Sequence, residues 1–236
     1  LFEAIIIYTF FLIIKIIGIN SSRKLFSSIF LKIGPLIKSK KVVEENIYRV
    51  FGNEIDKKKI IKSMWSNYGK IFVEYIYLEK FKKNSFNKEH ISIKELKKLE
   101  EIKKNKKPVI FISGHFANFE LMSMEITKQQ IKLATIYRPL NNIFLNPLME
   151  FLRRKFICKN QIKKGISGIR ESINYLKNNY SIALMVDQRV SEGKRLPFFQ
   201  DNALTTTLPA QLALKYECDI VPVYIIRNTD DSFEME

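Results

Sequence analysis

The second half of the chain alternates short apolar runs with helix-like segments, and this alternation constrains the fold more than any other feature. The apolar runs read PVIFIS, KLATIYR, SIALMVD and IVPVYIIR. Between them lie Phe116 to about Lys128, NPLMEFLRRKF, SGIRESINYLKNN and LPAQLALKYE. Continuously apolar strands separated by helices are typical of a mostly parallel sheet covered on both faces. The sequence therefore predicts an α/β fold with a mostly parallel central sheet flanked by helices, and sites in such folds form where strands end and helices begin.

The N-terminal segment AIIIYTFFLIIKIIGI, residues 4–19, is apolar except for Lys15. As a helix that rises about 1.5 Å per residue it would reach roughly 24 Å, short of the ~30 Å hydrocarbon core of a bilayer. The polar and basic stretch NSSRKLF follows it, where a signal peptide would have a small-residue cleavage site. We therefore expect a retained membrane-anchoring helix, spanning or interfacial, with its basic flank in the cytoplasm. A buried core helix is the alternative.

The chain is predicted to have three regions. Residues 1–20 form the anchor, residues 21–90 a helical N-terminal region, and residues 91–236 an α/β domain that we expect to continue past Glu236. The helical region rests on residues 56–81, where large apolar side chains recur at spacings of three and four: Ile61, Met64, Trp65, Tyr68, Phe72, Tyr75 and Ile76. Such a stripe is typical of an amphipathic helix.

The net charge of +16 favours anionic partners, although a coding bias towards Lys, Ile and Asn would raise it without selecting any partner. A nucleic-acid surface would interleave basic residues with exposed aromatic residues on one element, whereas these lysines are scattered, so we expect no nucleic acid. The chain has two cysteines and two histidines. That content disfavours the common zinc sites, and we expect no metal, no other cofactor, and reduced thiols on the cytosolic side.

The stretch GHFANFE, residues 114–120, places one of the two histidines directly after an apolar run. Gly114 permits a tight turn, so His115 is predicted at the carboxyl edge of the sheet. If His115 lies in the turn, its ring can fold back towards Glu120. A carboxylate on one ring nitrogen fixes the tautomer and leaves the other nitrogen free to take a proton. From spacing alone, a helix-capping histidine beside an unrelated glutamate remains the alternative.

Three blocks carry a resemblance to a known family. GHFANFE is similar to the H-x4-D/E block of the lysophospholipid acyltransferase superfamily, and its context resembles the lipid A late acyltransferases, which are lauroyl and myristoyl transferases. YRPLNNIFLNP matches that family's YRP block, and MVDQRVSEGKRLPFF matches its DQ block followed by PFF. Ala117 and Phe119 stand where the family typically has Gly and Trp. With the N-terminal segment and EENIYRVFG, the resemblance covers nearly the whole chain.

The resemblance implies an acyltransferase site. His115 would be the general base and Glu120 its orienting partner. Arg138 would bind an anionic group of donor or acceptor, and Asp187 and Gln188 would complete the substrate site. A surface arginine and a turn or capping aspartate are the structural alternatives for Arg138 and Asp187. The implied reaction is attack of an acceptor hydroxyl on a thioester carbonyl, without a covalent acyl-enzyme.

The resemblance also implies the partners. The donor would be an acyl chain on acyl carrier protein, and the acceptor a hydroxyl of an anionic lipid A precursor at the cytoplasmic face of the inner membrane. A basic cluster, Arg153 to Lys155, would suit either partner. Two alternatives stay open: a glycerophospholipid or glycolipid acyltransferase with the same histidine and carboxylate, and a membrane-tethered protein that binds anionic partners without chemistry.

Overall fold

A computed structural model of the chain describes residues 1–37, 39–86, 89–188, 190, 193–199 and 201–236. The chain divides into two compact units. The first comprises residues 1–77 and 195–203, and the second comprises residues 78–194 and 204–236.

The first unit is mainly helical. Its elements are α1 (Phe2–Ile17), α2 (Ile19–Ile37), α3 (Lys40–Phe51), α4 (Lys57–Glu74) and a 3-10 turn (Tyr75–Tyr77). Helix α4 carries most of the predicted amphipathic stripe, but it ends at Glu74, and Tyr75 and Ile76 lie in the 3-10 turn. The helix begins after Asp56, whose carboxylate accepts hydrogen bonds from the backbone N–H groups of Lys58 and Lys59 at 3.0 and 3.2 Å. Such an N-cap satisfies amide donors that the first helical turn leaves without partners.

Helices α2 and α4 approach each other closely at Gly69. A Cβ atom on this residue would lie 2.4 Å from the backbone oxygen of Phe26, so only glycine fits. The same two helices share a buried ion pair, in which Arg23 Nη2 lies 2.7 Å from Glu74 Oε1. Both side chains are almost fully buried. Burying charges is tolerated here because the two side chains are paired and hydrogen-bonded.

The structure confirms a helix in the N-terminal apolar segment. Helix α1 buries Ala4, Phe11 and Ile14, while apolar side chains on its other sides are exposed, among them Phe2 at 76% and Ile16 at 75%. Within the part of the chain that the structure describes, no helix combines the length and apolarity needed to cross a bilayer. The anchoring role of α1 stays a prediction.

The second unit carries the α/β fold. Its elements up to residue 185 are α5 (Leu78–Lys82), β1 (Ile91–Ile93), α6 (Leu96–Asn105), β2 (Ile110–Ser113), α7 (Glu120–Lys128), β3 (Leu133–Tyr137), α8 (Asn146–Leu152), a π-helical turn (Arg153–Ile157), β4 (Asn160–Lys163), α9 (Ile166–Lys177) and β5 (Ser181–Met185). A hairpin of β6 (Lys194–Phe198) and β7 (Asp201–Thr205) follows and belongs mostly to the first unit. The second unit then continues with α10 (Leu208–Tyr216), β8 (Ile220–Pro222), β9 (Ile225–Arg227) and β10 (Phe233–Met235).

Among the described residues, five strands form a parallel sheet in the order β4-β3-β5-β2-β8. This confirms the predicted α/β class with a mostly parallel central sheet. Ile110, Ala134, Ile162 and Ile182 lie in neighbouring strands and are fully buried, in a core shared with residues of α9 and α10. In the register of three adjacent strands, Thr135 lies beside Gln161 on one side and Ala183 on the other.

Two predicted elements of the α/β region differ from the structure. The run IVPVYIIR is two strands: β8 joins the parallel sheet, and β9 joins a smaller sheet in the order β1-β10-β9. The ladder of β8 ends at Pro222, and from Tyr224 the backbone pairs instead with Glu236. The helix predicted from Phe116 begins only at Glu120. Ala117 adopts a left-handed φ of 38°, which a helix cannot include.

Candidate active site

His115 lies just beyond the carboxyl end of β2, as predicted. Its imidazole is held by a carboxylate that follows β5, the neighbouring strand in the sheet. Its Nδ1 lies 2.8 Å from Asp187 Oδ1, and its backbone N–H donates to Asp187 Oδ2 at 2.8 Å. Asp187 follows β5, which pairs in parallel with β2. The two residues meet because the carboxyl ends of parallel neighbours lie at the same edge of a sheet.

Gly114 allows this close contact. A Cβ atom at this position would lie 3.3 Å from Cγ of Asp187 and 3.0 Å from the ring of Phe116. Such distances are tighter than ordinary van der Waals contact, so a side chain at position 114 would press on the carboxylate that holds His115. Such a side chain would displace the Asp187 carboxylate or the Phe116 ring by a few tenths of an ångström.

The hydrogen bonds to Asp187 favour its ionised form. Burial by itself would raise the pKa of this carboxyl group, but the ring and backbone N–H groups of His115 lower it by more, and the pKa lies below its ordinary value. An ionised Asp187 accepts from Nδ1–H, which leaves Nε2 as the nitrogen with a free lone pair.

His115 lines the surface of a cavity. The histidine side chain is 30% exposed, and the side-chain nitrogen of Gln188 lies 3.4 Å from Nε2. That distance is long for a hydrogen bond, so this contact is weak. A substrate hydroxyl could replace it at Nε2.

Glu120 pairs with Arg153, a residue that sequence reasoning placed only in a basic cluster. Nε and Nη2 of Arg153 donate to Glu120 Oε1 at 2.8 and 2.6 Å. The two side chains are 13% and 9% exposed, and the guanidinium lies 5.7 Å from the centroid of the Tyr137 ring. Sequence spacing gives no signal for this pair, because the two residues are brought together by the packing of α7 against the π-helical turn.

The carboxylate on Nδ1 of His115 is therefore that of Asp187, whereas the sequence predicted Glu120 there. The turn through Ala117 starts α7 at Glu120, and the carboxylate of this residue accepts from Arg153. A carboxylate in the first helical turn is also favoured by the helix dipole. The catalytic role of Glu120 stays a prediction, and Asp187 takes the contact from which that role was inferred.

These residues surround a cavity of about 470 Å³ in the second unit. Its lining includes the row Gln161, Thr135 and Ala183 across the sheet, with Phe119 and Ser123 from the region of α7. The lining also includes four of the five predicted site residues, His115, Glu120, Arg138 and Gln188. The fifth, Asp187, contacts the cavity through its bond to His115. The structure thus gathers all five predicted residues in one place.

Arg138 follows β3 directly and is exposed. Its position beside the cavity is compatible with binding an anionic group at the carboxyl edge. Within the described ranges, no group of three or more His, Cys, Asp or Glu side chains is arranged to hold a metal ion.

A family model described as bacterial lipid A biosynthesis acyltransferase matches residues 2–236, which is nearly the whole chain. The search of curated proteins gave no match.

Proposed function

The chain belongs to the bacterial lipid A biosynthesis acyltransferase family, and on that basis we propose that it transfers a fatty acyl group from acyl carrier protein to a hydroxyl of a lipid A precursor. The observation that carries the proposal is the His115–Asp187 pair beside a cavity of about 470 Å³. A lipid A-type acyltransferase in the general sense follows from the family. The donor, the acceptor hydroxyl and the residue roles are the proposal.

His115 acts as the general base. Asp187 holds Nδ1–H, so Nε2 removes the proton of the acceptor hydroxyl as its oxygen attacks the thioester carbonyl. The carbon–sulfur bond then breaks, and the imidazolium returns the proton to the departing thiolate. The carboxylate of Asp187 orients the ring and stabilises the imidazolium between these two steps. No serine or cysteine nucleophile takes part.

The cavity accommodates the acyl chain. The sheet contributes Ala183 and Met185 to its lining, and the side facing α7 contributes Phe119. These apolar surfaces suit a hydrocarbon chain, because its removal from water is favourable in proportion to the area buried. Arg138, exposed beside the same cavity, would bind a phosphate or carboxylate of either substrate.

Basic and apolar surfaces support the proposed partners. Arg154 and Lys155 are exposed, and Lys82 Nζ donates to the backbone oxygen of Lys155 at 2.6 Å, which adds a third cation beside them. Arg153 does not belong to this surface because it is paired with Glu120. An acidic carrier protein would dock there by charge attraction. The exposed apolar residues of α1 would hold the enzyme at the cytoplasmic face of the inner membrane.

The decisive experiment supplies full-length enzyme with labelled acyl carrier protein and a panel of acceptors: a lipid A precursor, a lysophospholipid and a glycolipid. Mass spectrometry identifies the acylated product. We expect the lipid A precursor to gain one ester-linked chain. Acylation of only the lysophospholipid or the glycolipid would establish the alternative acyltransferase, and no acylation of any acceptor would contradict the enzymatic proposal.

Single-turnover assays of variants test the base. The change His115→Ala should lower turnover by about 10²–10⁴-fold, the usual worth of a general base. The control is His90→Ala at the other histidine, which stacks on Phe86 with ring centroids 4.0 Å apart and should retain normal turnover per folded molecule. Wild-type turnover in His115→Ala would refute the proposed role.

A further inference from the structure

The loop that follows Arg138 carries exposed apolar side chains beside the cavity. We call residues 139–145 the mouth loop. Ile143 is 74% exposed, Phe144 46% and Leu140 40%. Contiguous apolar exposure is uncommon on monomeric soluble proteins and marks surfaces that contact a partner or a membrane.

The fold of the mouth loop holds these side chains outward. The carboxamide oxygen of Asn142 accepts from the backbone N–H groups of Phe144 and Leu145 at 3.0 and 3.3 Å. Asn146 accepts from the N–H of Leu140 at 2.8 Å and donates to Glu150 at 2.9 Å. The side chains of Asn142 and Asn146 thus accept hydrogen bonds from three backbone N–H groups of the loop. Because these N–H groups are satisfied, the backbone can enter a poorly hydrated layer at a lower free-energy cost.

The mouth loop also borders the cavity, since Pro139, Leu140 and Asn141 line it together with His115. An acceptor with several hydrocarbon chains has to reach Nε2 of His115 while those chains stay out of water. An apolar surface next to the cavity allows this if it lies within the lipid layer.

The charges around the mouth loop identify the lipid surface it fits. The segment from Arg138 to Asn146 contains no acidic residue. Arg138 before it is exposed, and the exposed Lys164 lines the same cavity. Apolar side chains flanked by cations are the arrangement that inserts into the interface of an anionic bilayer.

We propose that the mouth loop inserts Ile143 and Phe144 into the headgroup region of an anionic bilayer and so brings the cavity to the lipid acceptor. This inference rests on the proposed function for the acceptor, but insertion itself requires no turnover. The occupant of the surface is the bilayer, and a second copy of the chain is the competing outcome.

The experiment reads the local environment of the loop. Cys158 and Cys218, the only cysteines, are 2% and 7% exposed, and burial raises the pKa of the Cys158 thiol to about 11. An environment-sensitive fluorophore will therefore label Ile143→Cys selectively in the full-length protein. Leu214→Cys on α10 is the matched control, because Leu214 is 84% exposed but does not line the cavity.

With phosphatidylglycerol-containing vesicles, emission from position 143 should shift to shorter wavelength and be quenched by spin-labelled lipid, while position 214 should show neither effect. This comparison is needed because α1 could hold the protein on vesicles by itself. An unchanged signal at position 143 on sedimented vesicles would overturn the inference. A shift without vesicles that grows with protein concentration would assign the surface to a second copy and also overturn it.

A charged variant gives an independent readout. The change Ile143→Asp should weaken vesicle binding by roughly tenfold, the effect of losing one buried aliphatic side chain. Equal binding of Ile143→Asp and Leu214→Asp would count against insertion. If position 143 inserts but the enzyme acylates no acceptor, the proposed function fails and the bilayer-binding surface stands. If the enzyme acylates an acceptor but position 143 does not insert, the proposed function stands and the bilayer-binding inference fails.

Discussion

The ion pair between Glu120 and Arg153 offers a direct test of what Glu120 does. Two N–H groups of Arg153 bind one carboxylate oxygen, and the two side chains are only 13% and 9% exposed. In the change Arg153→Met, the buried carboxylate of Glu120 loses its cationic partner while the length of the side chain at position 153 is nearly kept. Removing one member of a buried pair costs about 3–5 kcal/mol. We expect roughly 3 kcal/mol, since the arginine retains some exposure to water.

The partner change Glu120→Gln should cost a similar amount, because it leaves a buried guanidinium facing a neutral amide. The double variant should be less destabilised than the sum of the two single changes, since neither unpaired charge then remains. Urea unfolding measures these differences from the transition midpoint and slope. Coincident transitions by far-UV circular dichroism and Trp65 fluorescence would justify one free energy for the whole chain.

Turnover per folded molecule separates structure from catalysis. If Glu120 acts only through Arg153, the three variants should lose stability and keep most of their turnover. If Glu120 orients His115, as the sequence predicted, Glu120→Gln should lower turnover as strongly as Asp187→Asn. Surface changes typically alter the free energy of unfolding by less than about 0.5 kcal/mol. If both single variants lost no more than this, the destabilisation expected from burial would be refuted.

Two further predictions concern charges outside this pair. Reversing Arg154 and Lys155 to Glu should raise the KM for the carrier-bound donor at low salt, and the effect should fade as salt screens the charges. Steady-state kinetics measures this, with reversal of Lys103 and Lys104 on α6 as the control. Equal effects of the two reversals would contradict a docking role for Arg154 and Lys155. Because its pKa is lowered, Asp187 should stabilise the fold fully above its ordinary pKa of about 3.9 and lose this contribution as pH falls further. The difference in unfolding free energy between wild type and Asp187→Asn should therefore shrink as pH falls below about 4, and a difference that grows in that range would contradict the assigned direction.

The parallel sheet could be predicted because its inner strands are short apolar runs. Strands β2, β3 and β5 lie within the predicted segments, since burial on both faces demands continuous hydrophobicity. Strand β4 reads NQIK and lies at the edge of the sheet, so its composition gives no such signal. The hairpin strand β6 is exposed at every position, and hydrophobic periodicity cannot detect it.

The candidate site was predictable as a location and less so as a set of contacts. Strand ends place His115 and Asp187 at one edge of a parallel sheet, so the sequence brings both to the same neighbourhood. The choice between Asp187 and Glu120 as the partner of Nδ1 depends on the path of the turn through Ala117. That path is set by tertiary packing, and local spacing does not encode it.

The glycine contact between α2 and α4 couples steric exclusion to electrostatics. The separation of the two helices at Gly69 also sets the distance between Arg23 and Glu74, which project from the same pair. The attraction between two charges weakens as they move apart, whereas the free-energy cost of removing each charge from water stays the same. A methyl group at position 69 would thus weaken a buried ion pair that it never touches, because the backbone of Phe26 cannot rotate out of its way as a side chain would.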